Sequence, residues 1–280
     1  MTGALTAAAV QMNAGDQLDN NLARAETLVE QAAAQGATLI ALPEYFYLMP
    51  ADDSARLKLA EDDGDGPLQT RMASLARRLG IWLLAGTLPL RAARPDRFFN
   101  SSLLYGPNGG RVARYDKMHL FGFDDGGDRY AESDTMQAGD AVVSADTPWG
   151  AMRLSVCYDL RFPELYRALP APTLITAPAA FTRATGQAHW ELLLRARAVE
   201  NLAFVIAPGQ CGRHPGGRET FGHSMIVDPW GEVLARQEDG EGAAVARLEF
   251  SRQADWRQRL PALRHRRLGD GTRSTSQHGD

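Results

Sequence analysis

Near the amino end, two short apolar runs bracket one amphipathic stretch, and that spacing restricts the fold more than any other feature. Residues 5–12 and 38–42 are runs of small and branched apolar side chains. Runs of this length, bounded by polar residues, read as strands buried on both faces. Between them Leu18, Leu22, Ala25, Leu28, Val29 and Ala32 recur at helical spacing over residues 16–35, and Gly36 stands where that helix should end. Strand, helix and strand in this order predict a βαβ unit.

The alternation continues along the chain. Residues 52–61 read as a short helix and 67–79 as a helix closed by Gly80, followed by a strand over 81–88. Residues 98–105 and 111–115 flank Pro107-Asn108-Gly109-Gly110 and predict a hairpin. Further strands are expected at 142–146, 151–156, 173–177, 202–207, 223–227, 232–236 and 243–249, with helices at 163–169, 187–201 and 251–260. Residues 122–139 read as a long irregular loop, and Gly209 to Arg213 leads into a Gly-rich one. The aspartates at 124, 125 and 128 lack the ligand spacing of a calcium loop and read as a solvated rim. Hairpins beside βα units imply mixed sheets in a single α/β domain over 1–268. The polar, small residues of 269–280 are expected to form a disordered tail.

Charge and cysteine content exclude several classes of function. A net charge of −4 argues against a general nucleic-acid binder. No stretch approaches the roughly 18 apolar residues of a membrane span. The N-terminus has neither the basic region nor the apolar core of a secretory signal. Cys157 and Cys211 are the only cysteines, too few for a disulfide framework, so a reducing cytoplasm is the expected setting.

Three predicted strands end on side chains able to do chemistry. Leu42-Pro43 delivers Glu44, Tyr115-Asp116 delivers Lys117, and the apolar run up to Val156 delivers Cys157. Loops at the carboxyl ends of strands are where α/β folds gather reactive groups. Each residue also has an ordinary reading on its own: a solvated glutamate, a surface lysine, a small buried thiol. His119 could act as a base or as a structural hydrogen-bonding group.

Taken together, Leu42-Pro43-Glu44, Asp116-Lys117-Met118-His119-Leu120-Phe121 and Cys157-Tyr158-Asp159-Leu160-Arg161-Phe162-Pro163-Glu164 resemble the three active-site motifs of the nitrilase superfamily of carbon–nitrogen hydrolases. They occur in family order and span nearly the whole chain. The resemblance implies a four-layer α-β-β-α sandwich with two mixed β-sheets. It also implies a catalytic Glu44-Lys117-Cys157 triad with Glu132, within Ala131-Glu132-Ser133, as a supporting carboxylate. Segments 185–191, 194–201, 210–214 and 221–231 are similar to the Nit branch, and within it to the deaminated glutathione amidases. On that resemblance Cys211 is structural, and a homodimer is implied.

The triad has the parts amide cleavage needs. Glu44 can accept the thiol proton of Cys157, Lys117 can stabilise thiolate and oxyanion, and the backbone N–H of Tyr158 can be a second oxyanion donor. Arg161 could pair with a substrate carboxylate, or with Asp159 or Glu164. Phe181 and Thr185 follow the next strand and are candidate pocket walls. The resemblance implies a small anionic amide as substrate, N-(2-oxoglutaryl)-Cys-Gly, cut to 2-oxoglutarate and Cys-Gly. No metal or cofactor is expected: the six histidines form no HExxH motif, and the glycines match neither a P-loop nor a dinucleotide fingerprint. Competing expectations are an ω-amidase acting on 2-oxoglutaramate, a Cys–His hydrolase using His119 or His223, and an inactive scaffold.

Overall fold

The computed structural model describes residues 4–124 and 129–267. Its amino half begins with β1 (Leu5–Met12), α1 (Leu18–Ala34) and β2 (Leu39–Ala41), then α2 (Pro67–Leu79), β3 (Trp82–Leu84) and β4 (Leu88–Arg91). The hairpin of β5 (Phe98–Tyr105) and β6 (Arg111–Asp116) follows, then β7 (Gly122–Asp124) and β8 (Arg129–Ala131). The carboxyl half holds β9 (Ser144–Thr147), β10 (Gly150–Leu154), α3 (Pro163–Arg167), β11 (Leu174–Thr176), α4 (Arg183–Asn201) and β12 (Phe204–Ala207). It closes with β13 (Gly209–Arg213), β14 (Glu219–Phe221), β15 (Met225–Val227), β16 (Val233–Arg236), β17 (Gly242–Leu248) and α5 (Phe250–Arg259).

Two mixed sheets result. The first runs β14-β13-β1-β2-β3-β5-β4, with β17 also paired to β1 and β6 to β5. The second runs β16-β15-β12-β11-β10-β9. The predicted βαβ unit is present: β1 and β2 pair in parallel, Ala7 opposite Leu39.

The layering follows from the period-two alternation of β1. Leu5, Ala7 and Ala9 point into a core shared with Met152, Leu154 and Val205 of the second sheet. Ala8, Val10 and Met12 point the other way, onto Leu22, Ala25 and Val29 of α1 and onto α2. Trp190, Leu194 and Ala198 of α4 join the core of the second sheet. Helices, sheet, sheet and helix therefore stack as the α-β-β-α sandwich.

Four sequence expectations are corrected in detail. The expected strand over 81–88 is broken into β3 and β4, because Gly86 takes a left-handed turn at φ 37°. The irregular stretch 122–139 contains the β7–β8 hairpin, whose pairing sequence pattern does not reveal in segments this short. Helix α4 starts at Arg183 rather than 187, because the Thr182 side chain accepts a bond from the Thr185 N–H and caps it. Gly209–Arg213 is a strand pairing in parallel with β1, although its glycines weaken any strand signal. Asp125, Asp128 and the tail from 269 lie outside the described residues, as does the side chain of Asp124.

Candidate active site

The two sheets bring their strand ends to one cavity of about 420 Å³, with Glu44, Glu132, Cys157, Tyr158, Arg161 and Phe181 in its wall. Cys157 follows the end of β10. Its N–H donates to Pro178 O at 2.9 Å, continuing the β10–β11 pairing past the strand. There the chain turns sharply, and Cys157 takes φ 51°, a left-handed conformation that costs a non-glycine residue about 1–3 kcal/mol. Asp159 holds the turn. Its buried carboxylate accepts from Val156 N (2.8 Å), Tyr115 Oη (2.6 Å), His119 N (3.1 Å) and the ring Nδ1 of His119 (2.7 Å).

Glu44 follows β2 and Pro43, and is 1% exposed. Its carboxylate accepts from Asn100 Nδ2 at 2.8 Å, Lys117 Nζ at 2.9 Å and Ala180 N at 3.0 Å. Lys117, after β6, is equally buried and bridges Glu44 to Glu132, with Nζ 2.9 Å from Glu132 Oε1. Glu132 is fixed from two sides: its Oε2 accepts from Phe121 N, just before β7, at 2.7 Å, and its Oε1 accepts from Tyr45 Oη, after β2, at 2.7 Å. Lys117 thus neutralises one of two buried carboxylates, and the donors around them offset the cost of burying the other.

Burial governs the protonation of this cluster. It raises Glu44 above the ordinary carboxylate range, against the opposing pull of Lys117. It also pushes the Cys157 thiol well up, so the resting sulfur is protonated, with Glu44 within its hydrogen-bonding reach. Burial opposes the charge on Lys117, but Glu132 and Glu44 outweigh it and hold the ammonium well above its usual value. A protonated thiol beside a carboxylate of raised basicity and a permanent cation is an arrangement for moving a proton as the sulfur attacks.

The sequence profile of the carbon–nitrogen hydrolases matches residues 6–258. The chain belongs to the carbon–nitrogen hydrolase family. It is 42% identical to a deaminated glutathione amidase of Yersinia enterocolitica over 93% of this chain and 92% of that protein. The human protein of the same name is 39% identical over 93% of this chain and 81% of its own length. Among solved structures, the yeast (Saccharomyces cerevisiae) Nit3, a member of branch 10 of the nitrilase superfamily, superposes with a TM-score of 0.85 at 28% identity, covering 96% of this chain and 98% of Nit3. A mutant of an amidase from Nesterenkonia, carrying the acetamide moiety of fluoroacetamide bound covalently at its active-site cysteine, has a TM-score of 0.76 at 26% identity over 93% of this chain and 95% of that one.

In this carbon–nitrogen hydrolase the structure brings together all eight residues singled out in the sequence. Lys117 joins through its contacts with Glu44 and Glu132, and Thr185 lies on the cavity wall with the other six. Arg161 makes no ion pair with Asp159 or Glu164. Its guanidinium lies 5.7 Å from the Tyr158 ring, 5.6 Å from the Phe181 ring and 3.3 Å from His189 Nδ1. Among the described residues no histidine lines the cavity: the His119 ring is held by Asp159 and stacks on Phe162, and the His223 ring bonds Phe221 O and stacks on Phe221. Cys211 is buried in the wall of a separate pocket, with its thiol pushed up to about 11 by burial and by Glu241 and Asp239. Among the described residues, no group of three or more His, Cys, Asp and Glu side chains is placed to hold a metal ion.

Sequence reasoning missed Asn100, Tyr45, Asp159 as the holder of the turn, and Arg218. Asn100 looks like one polar residue in a hairpin strand, and no local signal marks it. Arg218 follows Pro215-Gly216-Gly217 and resembles any loop arginine. Tyr45, next to Glu44, carried a usable signal, since a tyrosine directly after a strand-end glutamate can hydrogen-bond the same charged cluster.

Proposed function

We propose that this enzyme cleaves an amide through a thioester on Cys157, with Glu44 as base and acid, Lys117 as oxyanion partner and Glu132 as the anion that positions Lys117. The observation carrying this reading is a thiol and a carboxylate of raised basicity on one cavity, with a buried ammonium paired to that carboxylate. Glu44 takes the Cys157 proton as the sulfur attacks the amide carbon. Lys117 Nζ and the Tyr158 N–H stabilise the oxyanion. Glu44 then passes the proton to the departing nitrogen, and the amine leaves. A water deprotonated by Glu44 attacks the thioester carbonyl, and collapse frees the acid while Glu44 returns the proton to the sulfur. Nucleophile, base and cation are all side chains, so this route calls on no cofactor.

The substrate we assign is N-(2-oxoglutaryl)-Cys-Gly, released as 2-oxoglutarate and Cys-Gly. The support is the name shared by relatives at 39–42% identity and an arginine, Arg161, on the cavity wall with no ion pair among the described residues. Arg161 would hold the 2-oxo-acid carboxylate between the Tyr158 and Phe181 rings, with Thr185 beside it. A homodimer in a reducing cytoplasm completes the reading, and sedimentation equilibrium tests the dimer.

Mass spectrometry of enzyme quenched during turnover should find a 2-oxoglutaryl adduct on the peptide holding Cys157, with Cys-Gly released at an equal rate. Ammonia release from 2-oxoglutaramate far outpacing Cys-Gly release would instead assign an ω-amidase. Glu44→Gln should lower kcat by about 10²–10⁴-fold, the usual span for a lost acid–base group. Retention of most activity would sink the role given to Glu44.

A further inference from the structure

One wall of the cavity is a row of three aromatic rings with a guanidinium at each end. Tyr158 meets Phe121 at 5.2 Å between ring centroids, and Phe121 meets Tyr130 at 5.8 Å. Arg161 lies 5.7 Å from the Tyr158 ring. At the far end Arg218 lies 4.8 Å from the Tyr130 ring, and it lines the same cavity. Arg161 is thus beside the ring that follows Cys157 in the chain, and Arg218 is two rings farther along.

Among the described residues Arg218 has no carboxylate to itself. Its Nη2 pairs with Asp53 Oδ2 at 3.1 Å, but the other Asp53 oxygen pairs with Arg56 Nη1 at 2.8 Å. Two guanidiniums share one carboxylate, so the trio keeps a net positive charge. Arg56 is fully buried under the Tyr45 ring, whereas the Arg218 side chain is 28% exposed. The surplus charge is therefore presented to the cavity by Arg218, which among the described residues bonds only Asp53 and has N–H groups left.

We infer that Arg218 forms a second carboxylate subsite, on the leaving-group side of the scissile bond, so that the enzyme prefers amides carrying a carboxylate at both ends. This rests on the amidase reading above and deepens it. In such a substrate the acyl arm reaches Arg161, close to the sulfur. The leaving-group arm of a dipeptide is the longer one, and it spans the Phe121 and Tyr130 rings to Arg218. A primary amide, whose leaving group is ammonia, leaves that end of the row unused. The two arginines thereby separate dipeptide-releasing from ammonia-releasing substrates.

The test compares N-(2-oxoglutaryl)-Cys-Gly with its C-terminal glycinamide, which keeps the acyl group and the thiol but loses one charge. The unaltered enzyme should show a kcat/KM at least about tenfold higher for the free acid, the scale of a charge-assisted hydrogen bond. Arg218→Gln should bring the acid down to the level of the amide and leave the amide within about twofold, while Arg218→Lys keeps part of the preference. Equal kcat/KM for the two amides in the unaltered enzyme, or an equal fall for both in Arg218→Gln, overturns the subsite. Should Arg218→Gln fail to fold, the unaltered enzyme still decides. Its acid-to-amide ratio must shrink as ionic strength rises to about 1 M, where screening acts within about 3 Å, and a constant ratio overturns the subsite. Turnover of neither amide overturns the substrate assignment itself, an outcome distinct from equal turnover of both.

Discussion

Glu44 has two opposing requirements. To take a thiol proton it must be basic, which burial provides; to be ready at neutral pH it must be ionised, which its three donors provide. Asn100 is the donor whose removal changes this balance without touching Lys117 or the Ala180 backbone. Because burial raises Glu44 above 4.5, the acid limb of kcat/KM should lie above that value, with activity rising as Glu44 loses its proton. Asn100→Ala withdraws a hydrogen bond from the ionised form only, so it raises the Glu44 pKa further. The acid limb should move to higher pH by about one to two units, since a hydrogen bond to a charged group contributes about 1.5–3 kcal/mol and one pKa unit is about 1.4 kcal/mol. A pH–rate profile from pH 4 to 8 checks the sign, and a limb that stays in place or moves down removes Asn100 from this role.

At the scale of elements, the site depends on how closely the loop after β2 meets the turn between β3 and β4. Gly86 sits at φ 37°, and a Cβ built there would fall 2.0 Å from Pro43 O and 2.8 Å from Leu42 O. Both obstacles are backbone, so the strand end carrying Glu44 must shift to admit a methyl group. Gly86→Ala should therefore cost about 2–4 kcal/mol of stability, combining overpacking with the left-handed φ. It should also lower kcat by about 10²-fold under conditions where the variant is folded, because a displacement near 1 Å is enough to disrupt a catalytic geometry. Urea unfolding and kcat measured on the same preparation separate the two effects. The same contact explains what the sequence could reveal. Glu44, Lys117 and Cys157 each follow the end of a predicted strand, and they became legible when the three motifs around them were read together. Asn100 and Arg218 join them only through contacts between distant parts of the chain, such as the Asn100 bond to Glu44 and the pairing of β13 with β1, which leave no periodic trace. The break at Gly86 and the β13 strand were hidden for a related reason, since glycine weakens a strand signal where close backbone approach demands it.

For the whole molecule, the decisive feature is that the chain closes on itself. The last strand, β17, pairs antiparallel with the first along its length, from Leu5 opposite Leu248 to Gln11 opposite Gly242. The parallel β1–β2 and β1–β13 pairings lie in the same sheet, so β1 is the seam on which both halves depend. Helix α5 then fastens the second sheet: Phe250 meets the Phe204 ring at 5.5 Å, and Gln253 Nε2 donates to Thr173 O at 3.0 Å and Leu202 O at 2.9 Å. The family match ends at residue 258, near the end of that helix, whereas the polar residues 269–280 lie beyond it. Two truncations should then behave in opposite ways. Ending the chain after Glu241 removes the partner of β1 and exposes both cores at once, so no cooperative unfolding transition should remain. Ending it after Leu268 removes only polar residues with no apolar side chain to bury, and both the melting temperature and kcat/KM should match the full chain. Calorimetry and turnover on the two proteins check this, and a fall in either quantity for the longer one would make the tail part of the working fold.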